Sequence, residues 1–383
     1  MSTAPTHRVL VCATGFPRSV DDAHKPFLLD HARALVDAGH EVTVVCPGAA
    51  GLPGREVIDG VDVVRFRYAP RVLETLAYDG AMYRRVVGPH VVVVPLFVLS
   101  FLATVVFAAR RRRVDVIHAH WWAPTGIVAV VAATLTGAAS VIHLHGSDAT
   151  IARGPLVPLA RWTLGRAGAV LAVSDELAAW GSAVSGRPVE VVPMPLPLGR
   201  LPVPTPPPDH GPVLGVGRLL PEKGFDVLIR AVAQVGRPVV LVGEGPERTA
   251  LQVLAVEVGA DLTLVGQVAP GELGEWYRRA SVVAVPSRRE GFGLVAAEAA
   301  AAGRAVVGTR VGGIPGVVDD GVSGILVPPD DVAALADALT RVDSAMGSRG
   351  PAQVEHLGPA RHALAVGAAY ERALSRRGDP AGR

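Results

Sequence analysis

The sequence predicts an α/β fold in two domains, each organised on a parallel sheet. Three observations carry that prediction. Apolar strand-like runs alternate with helical ones from the N-terminus onward, which is the pattern of parallel strands joined by crossover helices. The alternation starts afresh in the second half. Between the two series, Pro193 to Pro212 holds nine prolines, too many for a regular element and suited to a stiff connection. The expected division is 1–195, then 213–355, then a C-terminal piece 356–383 whose helix packs back on the first domain.

In the first half, strands are expected at Val9 to Thr14, Glu41 to Cys46, Val61 to Arg67, Val114 to His120, Ala139 to His145 and Ala169 to Val173, with a helix from Phe27 to Ala38. Ser174, followed by Asp175 and Glu176, is expected to cap the next helix. Val91 to Ala109 is a run of 19 residues without a charge, followed by Arg110 to Arg113. Its length suits a transmembrane helix, but one span would put strands of a single sheet on opposite sides of a bilayer, and Pro95 falls in its first turns. Two readings remain: a buried crossover helix, or a helix in the membrane interface beside its arginines.

The second series is expected to run Val213 to Gly217 (strand), Phe225 to Val235 (helix), Val239 to Gly243 (strand), Pro246 to Val258 (helix), Leu262 to Val265 (strand), Val282 to Pro286 (strand), a helix carrying Glu298, Ala305 to Gly308 (strand) and Asp331 to Val342 (helix). A last amphipathic helix covers roughly Ala360 to Leu374, before a polar tail. The two halves share this rhythm without a repeat in sequence.

With 383 residues, half of them hydrophobic, the chain can build two cores. A formal charge of +2 and the lack of basic stretches interleaved with aromatics argue against nucleic acid as a partner. Cys12 and Cys46 sit in apolar runs without metal or disulfide spacing, and the apolar run near the N-terminus is too short for a signal peptide. A cytoplasmic setting is the expectation. Of 37 basic residues only Lys25 and Lys223 are lysine, which marks places where a compact point charge suits and a planar fork does not.

The chemistry concentrates in the second half. Glu290-Gly-Phe-Gly-Leu-Val-Ala-Ala-Glu298 follows a buried strand and puts one carboxylate in a loop and another about two turns down the next helix. The amides of Phe292, Gly293 and Leu294 at that helix start suit an anion, Gly291 and Gly293 allow close approach to the backbone, and Glu298 is placed for a vicinal diol. Such a site fits a phosphate flanked by sugar hydroxyls. Gly217-Arg218 to Lys223-Gly224 follows the first strand of the second series, so two cations stand at a strand's carboxyl end, where open α/β sheets bind ligands. They can neutralise a diphosphate leaving group without a metal ion.

These segments resemble family 4 retaining glycosyltransferases of the GT-B fold, two Rossmann-like domains facing across a cleft. The resemblance rests also on Val242-Gly243-Glu-Gly-Pro246, Val265-Gly266, Gly312-Gly313-Ile-Pro315 and Asp320-Gly321-Val-Ser-Gly324-Ile-Leu-Val, and in the first half on Gly39-His40-Glu41-Val-Thr-Val and His145-Gly146-Ser-Asp148. It implies an acceptor-side domain followed by a donor domain, and a sugar, of hexose type, moved from a nucleoside-diphosphate sugar to a hydroxyl with retention and without metal or cofactor. By the same resemblance, Gly217, Arg218 and Lys223 attend the diphosphate, Glu298 the ribose, Glu290 the transferred sugar, and Gly266 and Gln267 the base. His145 would reach the sugar's other side from the first domain. Gly15, Lys25 and Asp148 fall on the acceptor side, where the chain departs from the family: Gly15-Phe-Pro stands where paired glycines are usual, and Pro193-Met-Pro where Pro-Asn-Gly is usual.

Other readings compete. A glycosidase needs carboxylates flanking a bond from opposite sides, which one loop and its helix do not supply. His118, His120, His143 and His145 form two His-x-His pairs, but no carboxylate or cysteine is interleaved to complete a zinc site, so no metal is expected. A non-catalytic nucleotide-sugar-binding subunit and a nucleotide-sugar epimerase are the remaining alternatives. An interfacial Val91 to Ala109, with Arg84, Arg85 and Arg110 to Arg113 at the headgroups, would make the protein peripheral on the inner face of an anionic membrane and its acceptor lipid-linked.

Overall fold

The computed structural model describes residues 5–70, 74, 76–78, 93–208 and 210–377. Arg84, Arg85, Val91, Val92 and the tail from 378 lie outside the described residues. The chain forms two compact units: the first comprises residues up to Val173, Leu177–Pro195 and the stretch from Pro359, and the second Leu196–Gly358 with Ser174–Glu176.

Among the described residues the first unit is built on eight strands: β1 (Arg8–Cys12), β2 (Glu41–Pro47), β3 (Arg55–Ile58), β4 (Val61–Phe66), β5 (Val116–His120), β6 (Ala139–Leu144), β7 (Ala169–Ala172) and β8 (Glu190–Val191). They order as β3-β4-β2-β1-β5-β6-β7-β8, parallel throughout except for the antiparallel edge pair β3 and β4. One sheet face is covered by the helix Pro26–Asp37 and the C-terminal helix Pro359–Arg377, whose Ala363, Val366, Ala369, Tyr370 and Ala373 enter the same core as Val9, Val11 and Val141. The other face packs on Val93–Arg112 and Ile127–Thr136.

The helix Val93–Arg112 buries Phe97, Phe101, Val105, Ala108 and Ala109, an i, i+4 stripe in which Phe101 stacks on Phe66 at 4.7 Å. Pro95 falls in the first turn, where its missing N–H has no intrahelical partner to lose. The opposite stripe is also apolar: Leu96, Leu99 and Phe107 are 50%, 62% and 60% exposed, and it runs into exposed Arg110 and Arg111. One face of this helix is core, and among the described residues the other is left exposed.

The second unit carries β9 (Val213–Val216), β10 (Val239–Val242), β11 (Leu262–Gly266), β12 (Val282–Val285), β13 (Val306–Thr309) and β14 (Gly324–Val327). All are parallel, in the order β11-β10-β9-β12-β13-β14. The helix Phe225–Val235 is bounded by Gly224 and Gly236, both left-handed, so it starts and stops where only glycine sits without strain. In both units strand order reverses beside the first strand, at β1/β5 and at β9/β12, which opens a crevice at the carboxyl ends of those strands.

One local expectation fails. The Ser174 hydroxyl is buried without a hydrogen-bond partner, so it does not cap the helix Asp175–Ser185.

Candidate functional site

In the second unit, Arg218 leaves the end of β9 and Glu290 follows β12, so the reversal of strand order brings their loops side by side. The loops meet because Gly224 lacks a side chain: with φ 65°, a Cβ there would lie 2.1 Å from the Pro286 carbonyl oxygen. Arg288 ties the two loops together. Its backbone N–H donates to the Glu222 carbonyl at 2.9 Å, and its guanidinium donates to both Asp226 oxygens at 2.8 and 2.7 Å and to Asp330 at 2.6 Å.

This staple places Lys223 Nζ 2.7 Å from Glu290 Oε2. The same oxygen accepts from Ser287 Oγ at 3.3 Å, and Glu290 Oε1 accepts from the Gly291 amide at 3.1 Å. Arg218 is exposed, and its guanidinium makes no hydrogen bond or ion pair among the described residues. Gly217, at φ 147°, leaves the backbone bare beside Lys223, whose Cε would lie 3.7 Å from a Cβ there. From behind, the glycine-bearing turn at 312 presses on the Glu290 loop; a Cβ at Gly312 would lie 1.9 Å from the Glu290 carbonyl oxygen.

The helix Leu294–Ala301 begins beside Glu290 at Gly293, with φ 91° and no side-chain cap. Its first amides are therefore unsatisfied donors, and the amides of Phe292, Gly293 and Leu294 make no hydrogen bond among the described residues. Free amides with the partial positive charge of a helix end behind them suit an anion. Glu298 is the fifth residue of this helix, one turn in rather than two. Tyr277 Oη donates to Glu298 Oε2 at 2.7 Å. Burial pushes the Glu298 carboxyl up to about 7, although that hydrogen bond and the charge of Arg200 pull it down. The Gly266 carbonyl already accepts from the Gly243 amide at 2.8 Å, whereas Gln267 is exposed with its groups available to a base.

The first unit gathers its own group where β1, β5 and β6 end. Lys25 sits at φ 55° ahead of the helix Pro26–Asp37; its ammonium donates to Thr14 Oγ1 at 3.1 Å and lies 4.5 Å from the Trp121 ring centroid. Gly15 makes room for it, since a Cβ there would lie 3.4 Å from Lys25 Nζ and 2.8 Å from His24 Nε2. Trp121 is itself at φ 70° and packs 4.7 Å from His145. Two non-glycine residues in left-handed backbone at one spot are a strain that surrounding structure must hold, as at ligand sites.

Burial holds the His145 imidazole well below its ordinary range, so it is neutral at pH 7. Its Nε2 is 2.9 Å from His120 Nδ1. Asp148 departs from expectation: it is fully buried, and its two oxygens accept from the backbone amides of Trp122 and His145, at 2.7 and 2.5 Å. It clamps the loops after β5 and β6 instead of facing a solute. Trp121 is the member that sequence reasoning missed. The adjacent Trp121-Trp122 pair just past a His-x-His strand end was its only signal.

Residues 25–197 match the glycosyl transferase 4-like domain and residues 212–343 the model described as glycosyl transferases group 1. Among curated relatives, a D-inositol 3-phosphate glycosyltransferase of Acidothermus cellulolyticus is 34% identical over 295 residues, which is 65% of this chain and 64% of that protein. Others so described, at 48% and 42% identity, are matched over 33% and 38% of their length. The chain thus covers less than two thirds of these relatives. Among solved structures, sucrose-phosphate synthase from Thermosynechococcus elongatus superposes with a TM-score of 0.81 at 23% identity, covering 97% of this chain and 100% of that one. Anabaena Alr3699/HepE in complex with UDP and glucose gives 0.72 at 21% identity, covering 94% and 98%. Residues 25–197 carry a glycosyl transferase 4-like domain, residues 212–343 a glycosyl transferases group 1 domain, and the fold is GT-B.

Proposed function

We propose that this protein is a retaining glycosyltransferase, of hexose type, that takes its sugar from a nucleoside-diphosphate sugar and delivers it to a hydroxyl acceptor without a metal at the transferring centre. The observation that carries the reading is the convergence at the β9/β12 reversal: Arg218, Lys223 and an uncapped helix N-terminus offer positive charge for a diphosphate, with Glu290 and Glu298 beside them for sugar and ribose hydroxyls. In this reading Arg218 and Lys223 hold the β-phosphate as negative charge develops on it, which is where preorganised donors lower a barrier most. Glu290 orients the transferred sugar, Glu298 accepts from the ribose and Gln267 meets the base. The departing phosphate takes the acceptor's proton, so no separate base is needed.

The UDP bound in the HepE structure makes uridine nucleotides the first donors to try, and the names of the curated relatives make an inositol phosphate the first soluble acceptor. Calorimetric titration with UDP tests donor recognition: binding should weaken strongly in Arg218→Ala, and lack of binding by UDP, ADP and GDP alike would remove the donor assignment. UDP binding without turnover of any nucleotide sugar would favour the non-catalytic subunit.

The first unit's Gly15, Lys25, Trp121 and His145 are assigned to the acceptor. The exposed face of Val93–Arg112 supports a peripheral position on an anionic inner membrane, because its Leu99 and Phe107 stripe ends in arginines, the composition of an interfacial helix. A lipid-linked hydroxyl is the acceptor class that such a position supplies.

A further inference from the structure

The interior of the first unit holds a group of histidines that the proposed reaction does not use. His31 comes from the helix Pro26–Asp37, and His118 and His120 from β5; all three are fully buried, and one ring nitrogen of each lies within 4.8 Å of those of the others. In each ring Nδ1 is engaged: His31 with His362 Nε2 at 2.8 Å, His118 with Tyr370 Oη at 2.8 Å, and His120 with His145 Nε2 at 2.9 Å. In each, Nε2 is buried and has no hydrogen-bond partner. A buried polar atom without a partner is rare and costly, and here three occur together.

The hydrogen bonds also fix what one of these nitrogens is. His362 Nδ1 is 2.8 Å from the Pro193 carbonyl, which only accepts, so that nitrogen carries the proton and His362 Nε2 is a lone pair. His31 must then donate from Nδ1, which leaves His31 Nε2 a bare lone pair in the core. Donation from His118 to Tyr370 and from His120 to His145 gives the other two the same form. Three imidazoles with the distal nitrogen donating and the near one free are how histidines are held to bind a transition metal.

We propose that His31, His118 and His120 form a metal site for a zinc-class divalent cation, each through Nε2, with a water or hydroxide as fourth ligand. Three neutral imidazoles suit zinc, copper or nickel and do not suit magnesium or calcium, which take oxygen ligands. The site ties the first helix and the C-terminal helix to the sheet, because His31 brings in His362, and His118 brings in Tyr370. It also selects a tautomer for His145: with His120 Nε2 on the metal, His120 Nδ1 must donate to His145 Nε2, and the His145 proton moves to Nδ1.

The test uses the full chain purified in EDTA, then exchanged and exposed to zinc or to magnesium before desalting and elemental analysis. One zinc and no magnesium per chain is expected, with a rise in Tm on zinc addition. Cobalt in its place should give the visible absorption of a four-coordinate site. His31→Gln and His118→Gln should each lose zinc by on the order of 100-fold or more in affinity, while Tyr370→Phe, which keeps the packing, should lose about 10–100-fold as an outer partner does. Exposed His356 serves as control, and His356→Gln should bind as the parent. Failure of the parent chain to retain zinc, or one equivalent retained equally by Tyr370→Phe and both glutamine variants, would overturn the site.

Discussion

Lys223 Nζ and Glu290 Oε2 are 2.7 Å apart across 67 residues of sequence. The residue assigned to the leaving group and the residue assigned to the sugar thus hold each other before any donor arrives. An ammonium has three donors on one point, so it can keep Glu290 and still face a phosphate, which a planar guanidinium in the same place does less well. Lys223→Ala and Arg218→Ala should each lower kcat by on the order of 10²–10³. Both partners are partly exposed, so loss of the pair should cost stability no more than about 1 kcal/mol. Initial rates and Tm measured together separate the two effects, and near-full rate in either variant would end the leaving-group assignment.

Glu298 sets a pH dependence whose sign is fixed. Its carboxyl is raised by burial to about 7, and it accepts hydroxyl donors best as a carboxylate, so donor affinity should strengthen as pH rises from 6 to 8. In the same proton balance, the folded chain keeps a proton that the unfolded chain loses between the ordinary 4.5 and about 7, so this group's contribution to stability falls as pH rises through that window. Glu298→Gln should raise the donor KM, keep kcat and flatten the pH profile. Tyr277→Phe removes a hydrogen bond to the carboxylate and should move the profile to higher pH. Glu290→Gln should instead lower kcat.

Gly224 is where two loops are allowed to touch. Gly224→Ala combines a left-handed φ with a Cβ 2.1 Å from the Pro286 oxygen, and should destabilise the second unit by about 1–3 kcal/mol while separating Lys223 from Glu290. A urea midpoint and a rate on the same sample check it; an unchanged midpoint would mean the loops close without this contact.

The helix Val93–Arg112 should bring the protein onto anionic vesicles at low salt. Each arginine near such a surface contributes roughly 1 kcal/mol, so replacing Arg110 to Arg113 by glutamine should reduce flotation strongly, and Phe107→Glu should reduce it through the apolar stripe. Flotation that is absent, or unchanged in both variants, would leave the exposed stripe unrelated to lipid.

Much of this was legible in the sequence because local signals agreed with the fold. Phe225–Val235 could be delimited to the residue, since a glycine stands at each end of a helical apolar pattern, and the uncapped helix start at Gly293 was visible in Gly291-Phe-Gly293 ahead of an alanine-rich run. The short edge strand Arg55–Ile58 was not, since its four residues give too little alternation. Contacts that depend on tertiary closure were hidden as well: the Lys223–Glu290 pair, the Asp148 clamp and Trp121 beside Lys25. The two His-x-His pairs were visible, but with no carboxylate or cysteine interleaved among them they did not point to a metal, and nothing in the sequence joined them to His31, on a helix far away in the chain. A histidine among Leu28, Leu29 and Leu35 on a buried helix face was the one hint.

Incubation with a panel of nucleotide sugars, without acceptor, tests the central claim most directly. Many sugars and bases can be offered, and slow release of nucleoside diphosphate is read without knowing what is glycosylated. The account predicts hydrolysis of at least one donor by the parent chain, reduced on the order of 100-fold in Lys223→Ala and in Glu290→Gln. A chain that binds nucleoside diphosphate yet hydrolyses none of the panel, or hydrolyses one equally well in both variants, would contradict it.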